Sequence, residues 1–138
     1  MTADPTIAAA LVTQAARLVR TVRADMDLPA GFRVLSMLDE HGPLGVTRLA
    51  VLDGTSQPTM SGTVAAVLER GWVDKQPHPD DARTAVVSLT DAGRAELLRG
   101  RARIGDQVAR RLAATSHTEQ DVAAAVDLLR SLLGKDEQ

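Results

Sequence analysis

The stretch Val46–Arg70 restricts the fold more than any other part of this sequence. A short helical pattern over Val46–Leu52 turns Val46, Leu49 and Ala50 to one side. Asp53-Gly54-Thr55-Ser56 follows, where Gly54 can take positive φ and Thr55 or Ser56 can cap what comes next. The next helix, roughly Gln57–Arg70, turns Met60, Val64, Val67 and Leu68 inward and stops at Gly71. A helix, a tight glycine-containing turn and a second helix of this length form a helix-turn-helix unit.

The flanking segments extend this unit in a definite order. Asp4-Pro5 caps a first helix whose Ile7, Leu11, Ala15, Leu18 and Val22 recur at helical spacing. Leu28-Pro29-Ala30-Gly31 breaks it, and a second helix with Phe32, Val34, Leu35, Met37 and Leu38 runs to His41-Gly42-Pro43. Beyond the unit, Trp72–Gln76 and Thr84–Leu89 read as two strands joined by the polar stretch Pro77–Arg83, a loop too long for a tight turn. Thr90 caps a long helix over about Asp91–Ala114. Thr118-Glu119-Gln120-Asp121 resembles a capping box opening the last helix. The order predicts a mainly α fold with a small β-hairpin wing, a winged helix-turn-helix in one domain over residues 1–138. Its DNA-reading head spans about 30–90, with dimerisation helices at about 4–25 and 91–133. Leu128, Leu129, Leu132 and Leu133 form an apolar stripe too wide for one face of a small monomer, which marks an interface. Leu11, Leu18, Val126, Leu129 and Leu133 are the expected dimerisation residues.

Composition removes several classes of function. There is no cysteine, so a disulfide framework, a thiolate metal site and a cysteine redox switch are all excluded. Phe32 and Trp72 are the only aromatic residues, too few for a platform that stacks single-stranded nucleic acid. His41, His78 and His117 sit near three different element boundaries, without ligand spacing, and His78-Pro79-Asp80-Asp81 reads as a hydrogen-bonded or solvated loop. No phosphate-binding glycine loop or nucleophile motif is present, so no enzyme activity, cofactor or metal is expected. Ile7–Val19 has neither the basic start of a signal peptide nor the apolar length of a membrane span, which leads to a cytoplasmic protein without a membrane partner.

Charge is the main objection to a nucleic-acid partner, because the net value is −2. Distribution matters more than the sum. Arginines 94, 99, 101, 103, 110 and 111 face only Glu96 and Asp106, a local balance of +4.

In a helix-turn-helix the second helix enters the major groove, about 12 Å wide, and its N-terminal residues meet the base edges. The outward side of that helix should therefore be small and polar near its start. Here Pro58, Thr59, Gly62 and Ala65 lie opposite the buried side, flanked by Ser56, Gln57 and Ser61. Glutamine can pair bidentately with adenine, and serine or threonine can serve base or phosphate. Gly62, costly in a helix interior, suggests close approach of another surface. Arg83 sits at the end of the polar loop, where a guanidinium can enter a narrow A·T-rich minor groove, and Asp81 is placed to hold the loop in shape. The alternative is a winged-helix module that binds another protein instead of DNA, a reading that the negative net charge and Gly62 favour.

With these motifs in place the chain resembles the MarR family of bacterial transcription regulators. The resemblance rests on Gly42-Pro43…Leu49-Ala50, and on Ser56-Gln57-Pro58-Thr59-Met60-Ser61 leading to Leu68-Glu69-Arg70-Gly71-Trp72-Val73. It rests also on Asp81-Ala82-Arg83…Leu89-Thr90-Asp91-Ala92-Gly93. It implies a homodimer built from the terminal helices, with two reading heads on a pseudo-palindromic double-stranded operator and a regulatory, repressing role. It implies Ser56, Gln57, Pro58, Thr59 and Ser61 at the major groove and Arg83 in the minor groove; the outward face of the helix adds Gly62 to the DNA-binding residues, and the loop reading gives Asp81 as the residue that positions the wing. It also implies a small aromatic or anionic effector between the dimer helices and the head, for which Leu18, Phe32 and Met37 are the candidate lining residues, with Arg17 or Arg33 beside them. The chain departs from the family at Gly62, where many members carry a basic residue, and at Gly45, where many carry a serine or threonine cap.

Overall fold

The computed structural model describes residues 2–134; residue 1 and residues 135–138, which the single-domain expectation includes, lie outside the described residues. Six helices and one hairpin follow in order: α1 Pro5–Ala24, α2 Phe32–His41, α3 Val46–Asp53, α4 Gln57–Glu69, β1 Val73–His78, β2 Asp81–Leu89, α5 Asp91–Ala113 and α6 Glu119–Leu133. The backbone forms two compact units, one reaching to Arg103 and one beginning at Ile104, so the division falls inside α5.

Local chemistry sets the helix ends. The Thr6 amide donates to Asp4 Oδ1 at 2.8 Å, and Pro5 occupies the first turn, where no amide hydrogen is needed. Thr90 Oγ1 accepts from the Gly93 amide at 3.0 Å and donates to the Gly71 carbonyl at 2.6 Å, so one hydroxyl both caps α5 and ties it to the end of α4. Gly93 is required by that tie, since a Cβ there would collide with the Trp72 carbonyl. Thr118 and Asp121 form a reciprocal capping box at the start of α6. Gly54, at φ +70°, ends α3 in the left-handed region that the turn demands.

The core of the first unit is mostly aliphatic, with the buried Phe32 ring packed against Gly100. Leu35, Leu49, Val67, Val87 and Leu97 are fully buried, with Val34, Met60, Val64 and Val73 nearly so. Met37, Val46 and Leu68, also expected inside, are half-buried. Leu97 brings α5 into this core, and two arginines of α5 reinforce it. Arg94 Nη1 donates to Asp39 Oδ1 at 2.8 Å, and Arg101 Nη2 stands 3.0 Å from Asp39 Oδ2, so one α2 carboxylate holds two turns of α5. Those two guanidinium groups hold the Asp39 carboxyl below the usual carboxylate range.

The hairpin is where the observed fold departs most from the sequence reading. Both strands run further than expected, to His78 and from Asp81, leaving Pro79-Asp80 as the turn. The regular ladder pairs Val73–Pro77 with Leu89–Ala85, and then the register breaks: His78 pairs with Asp81. Positions 82–84 are left unpaired between Asp81 and Ala85 and form a bulge. Asp81 causes this local shape, because its Oδ1 accepts from the Arg83 amide at 3.0 Å and its carbonyl accepts from Thr84 Oγ1. An isolated bridge adds one further residue to the hairpin. Leu44 exchanges two backbone hydrogen bonds with Val87, which anchors the base of the wing to the segment before α3.

The terminal helices present apolar surface. In α1 only Val22 is buried; Ile7 is 71% exposed and Leu18 47%, while Leu11 is half-buried. In α6 no residue is buried, and Val126, Leu128, Leu129, Leu132 and Leu133 are all exposed.

Candidate nucleic-acid interface

The start of α4 is the centre of the candidate interface. Ser56 Oγ accepts from the Thr59 amide at 3.2 Å and donates to Thr59 Oγ1 at 2.9 Å. Its hydroxyl is thus engaged in the cap, and it fixes the rotamer of the neighbouring threonine. Thr59 Oγ1 keeps its own hydrogen for an outside acceptor. Gln57, Pro58, Thr59, Ser61 and Gly62 are all exposed, on the side away from Met60, Val64 and Val67. At Gly62 nothing of this chain lies within 4 Å of where a Cβ would stand, so no surface of this subunit accounts for the glycine.

The wing supplies the second part. The Arg83 side chain is 97% exposed, and its Nε stands 4.0 Å from Asp81 Oδ1, too far for a hydrogen bond. Asp81 therefore acts on Arg83 chiefly through the backbone amide, shaping the bulge and leaving the guanidinium free to reach out. At the turn, the Asp80 amide donates to His78 Nδ1 at 3.0 Å, which uses that nitrogen as an acceptor. Among the described residues no group of three or more metal-ligating side chains comes together.

Residues that the sequence reading did not single out also face this region. Arg48 of α3 and Lys75 of β1 line the same groove as Gln57 and Arg83. Neither carries a distinguishing pattern in the sequence: Lys75 pairs with the buried Val87 and falls on the same strand face as the buried Val73, and Arg48 is one polar position of a short helix. At α3, Gly45 provides no side-chain cap, in keeping with the departure seen in the sequence.

The most conspicuous basic run has other partners. Arg94 and Arg101 hold Asp39, Arg99 Nη2 contacts Glu96 Oε2 at 2.7 Å, and Arg103 Nη1 donates to the Asp27 carbonyl at 3.3 Å. In the second unit, Arg110 Nη2 donates to Gln107 Oε1.

The expected effector residues do not converge. Phe32 lines a cleft of about 350 Å³ together with Arg23, Met26, Arg33, Asp53 and Thr63. Met37 lines a smaller neighbouring cleft, which shares Arg23 and Arg33, and Leu18 lines neither. Within the larger cleft Arg33 Nε stands 2.7 Å from Asp53 Oδ1, while that oxygen is buried without a properly directed hydrogen bond. The contact is ionic and poorly aligned. Burial, and then the neighbouring Arg33 charge, lower the pKa of Arg23.

A profile of the MarR family matches residues 29–85, from the loop before α2 into β2. An uncharacterised HTH-type transcriptional regulator of Mycobacterium bovis is 33% identical over 101 residues, covering 72% of this chain and 70% of that protein. The chain belongs to the MarR family. It is a DNA-binding winged helix-turn-helix transcriptional regulator and not an enzyme. The HTH-type transcriptional repressor NicR of Pseudomonas putida is 31% identical over 106 residues, 77% of this chain and 66% of the repressor. The crystal structure of wild-type MarR from E. coli in its apo form shares the fold at a TM-score of 0.65 and 21% identity, over 96% of this chain and 98% of that one. Among the described residues of this MarR-family chain, no helix is long and apolar enough to cross a membrane.

Proposed function

We propose that this protein is a cytoplasmic homodimeric repressor that reads a pseudo-palindromic double-stranded operator and releases it when a small aromatic or anionic molecule binds. Each subunit acts as a single winged-helix domain, with its reading head at about 30–90 and dimerisation helices at about 4–25 and 91–133. The observation that carries this reading is Arg83, a guanidinium 97% exposed on a bulge shaped by Asp81. Held out this way it gains little within its own subunit, and it suits a narrow minor groove, where the negative potential is deepest. Gln57, Pro58, Thr59, Ser61 and Gly62 meet the major groove, with Ser56 holding the helix start in register. A base pair or sugar-phosphate strand pressed against α4 would explain why the smallest residue stands at Gly62.

The dimer draws support from exposed apolar surface. Leu18 of α1 and Val126, Leu129 and Leu133 of α6 are between 38% and 79% exposed in the lone chain. Leaving such side chains in water forfeits roughly 1.5–3 kcal/mol each relative to full burial. The repressing role follows the relative NicR, which is named a repressor. For the effector, the cleft at Phe32 combines apolar walls with Arg23 and Arg33, and its volume of about 350 Å³ suits a small ring bearing a carboxylate. Such a molecule lowers DNA affinity only as far as it binds the non-reading arrangement more tightly.

Fluorescence anisotropy of the purified protein against its own promoter-region DNA and a scrambled duplex tests the reading. Tight, salt-sensitive binding to the promoter alone is expected; equal or absent binding to both removes the operator reading. Leu129→Asp should sediment as a monomer and lose the operator, and a Leu129→Asp protein that still sediments as a dimer places the interface elsewhere.

A further inference from the structure

The surface that presents Gln57 continues into a groove between α3 and the wing, with an open volume of about 490 Å³. Its walls carry Arg48 from α3, Lys75 from β1 and Arg83 from β2, three cations that are remote in sequence and meet only in the folded chain. No acidic side chain lines it among the described residues. The nearest carboxylate to any of the three is that of Asp81, 4.0 Å from Arg83 and engaged with the wing backbone. Arg48 and Lys75 are exposed, and neither side chain has a hydrogen bond or ion pair among the described residues.

Three like charges line the groove against a single nearby carboxylate, that of Asp81 at 4.0 Å from Arg83, so the chain leaves the set short of negative charge. A phosphate strand, with about one negative charge per 1.7 Å of duplex axis, supplies what is missing. Gln57 belongs to the groove and to the reading end of α4 alike, so a strand lying in the groove is continuous with bases presented to α4. We infer that this groove holds the DNA backbone, with Arg48 and Lys75 as phosphate contacts that position the reading helix and the wing. The inference rests on the operator-reading function proposed above. It assigns two residues that act on affinity and register, not on sequence choice, because phosphates carry no sequence information.

The test uses the whole protein and measures affinity for promoter and scrambled duplexes between about 50 and about 200 mM salt. Each phosphate contact contributes about 0.9 to the slope of log affinity against log salt, so a variant that loses one contact in each half of a dimer should flatten the slope by about 1.8. Arg48→Gln and Lys75→Gln are each expected to do this, and to weaken both duplexes by the same factor. Arg20→Gln removes an exposed α1 arginine away from the groove and should leave the slope at its wild-type value. Unchanged unfolding midpoints establish that the variants are folded. Slopes for Arg48→Gln and Lys75→Gln equal to that of Arg20→Gln overturn the inference and leave the groove to another partner. A loss confined to the promoter duplex also overturns it, making the residue a base reader. If the wild-type protein binds neither duplex, the operator reading itself has failed, a result distinct from an unchanged slope in a protein that binds.

Discussion

The arginines of α5 and the cations of the α3–wing groove carry the same kind of charge and lead different lives. Along α5, Arg94 and Arg101 share Asp39, Arg99 pairs with Glu96 and Arg103 donates to the Asp27 carbonyl. In the groove, Arg48 and Lys75 have no partner among the described residues, and Arg83 reaches out at 97% exposure. The first set is dense in sequence and satisfied in the fold; the second is scattered in sequence and brought together unsatisfied. A basic run therefore says little about where a polyanion binds. An arginine with a good internal partner has much less to gain from a phosphate, since taking one leaves a carboxylate or carbonyl behind. A net charge of −2 therefore does not exclude a polyanion, which needs only a local surplus of positive charge, and the groove carries one.

If the contrast is sound, substitutions in the two regions should fail in opposite ways. The largest effect is expected at the wing. Arg83→Ala should weaken operator binding on the order of a hundredfold in a dimer that uses two wings, at about 1–3 kcal/mol per lost specific contact. Its unfolding midpoint and its dimerisation should stay unchanged. An anisotropy titration with unaltered affinity would remove Arg83 from the interface and with it half of the contrast.

Asp39→Asn should show the reverse pattern. It leaves Arg94 and Arg101 facing each other without their carboxylate, and chemical denaturation should report a loss of about 1 kcal/mol, discounted for partial exposure. The salt slope of DNA binding should be that of the wild type; a flattened slope would mean that α5 also meets phosphate. The same ion triad sets an acid dependence. Because the folded Asp39 carboxyl titrates below its unfolded value, its stabilisation is complete above about pH 4 and disappears as pH falls through the lowered folded pKa. Stability curves of wild type and Asp39→Asn should converge in that acid range, and curves that stay parallel would remove the triad as their source. The smallest effect belongs to Arg99→Ala. Its pair with Glu96 lies within one helix turn, so stability should fall by no more than about 0.5 kcal/mol and the salt slope should stay at the wild-type value.

Much of the fold was legible because its signals act over three or four residues. Asp4, Ser56, Thr90 and Thr118 cap the helices that they were expected to cap, and Gly54 takes the positive φ that the turn needs. The wing was legible only in outline. By sequence Pro77–Arg83 reads as one long loop, whereas Asp81 bonds the Arg83 amide and folds the segment into a two-residue turn plus a bulge. Leu44 pairing with Val87 left no trace at all, since a single-residue bridge has no periodicity.

The candidate site divides along the same line. Local order in the chain determined the helix-turn-helix, the small polar start of α4 and the exposed Arg83, because capping, helical spacing and turn chemistry are properties of neighbouring residues. Only the tertiary structure decided that Ser56 is engaged in its cap, that Phe32, Met37 and Leu18 do not share one cleft, and which cations remain free. Asp39 and Arg94 are 55 positions apart, and Arg48, Lys75 and Arg83 come from three different elements. Whether a charge is neutralised depends on distances of a few ångströms between such residues, which packing creates and sequence spacing does not encode.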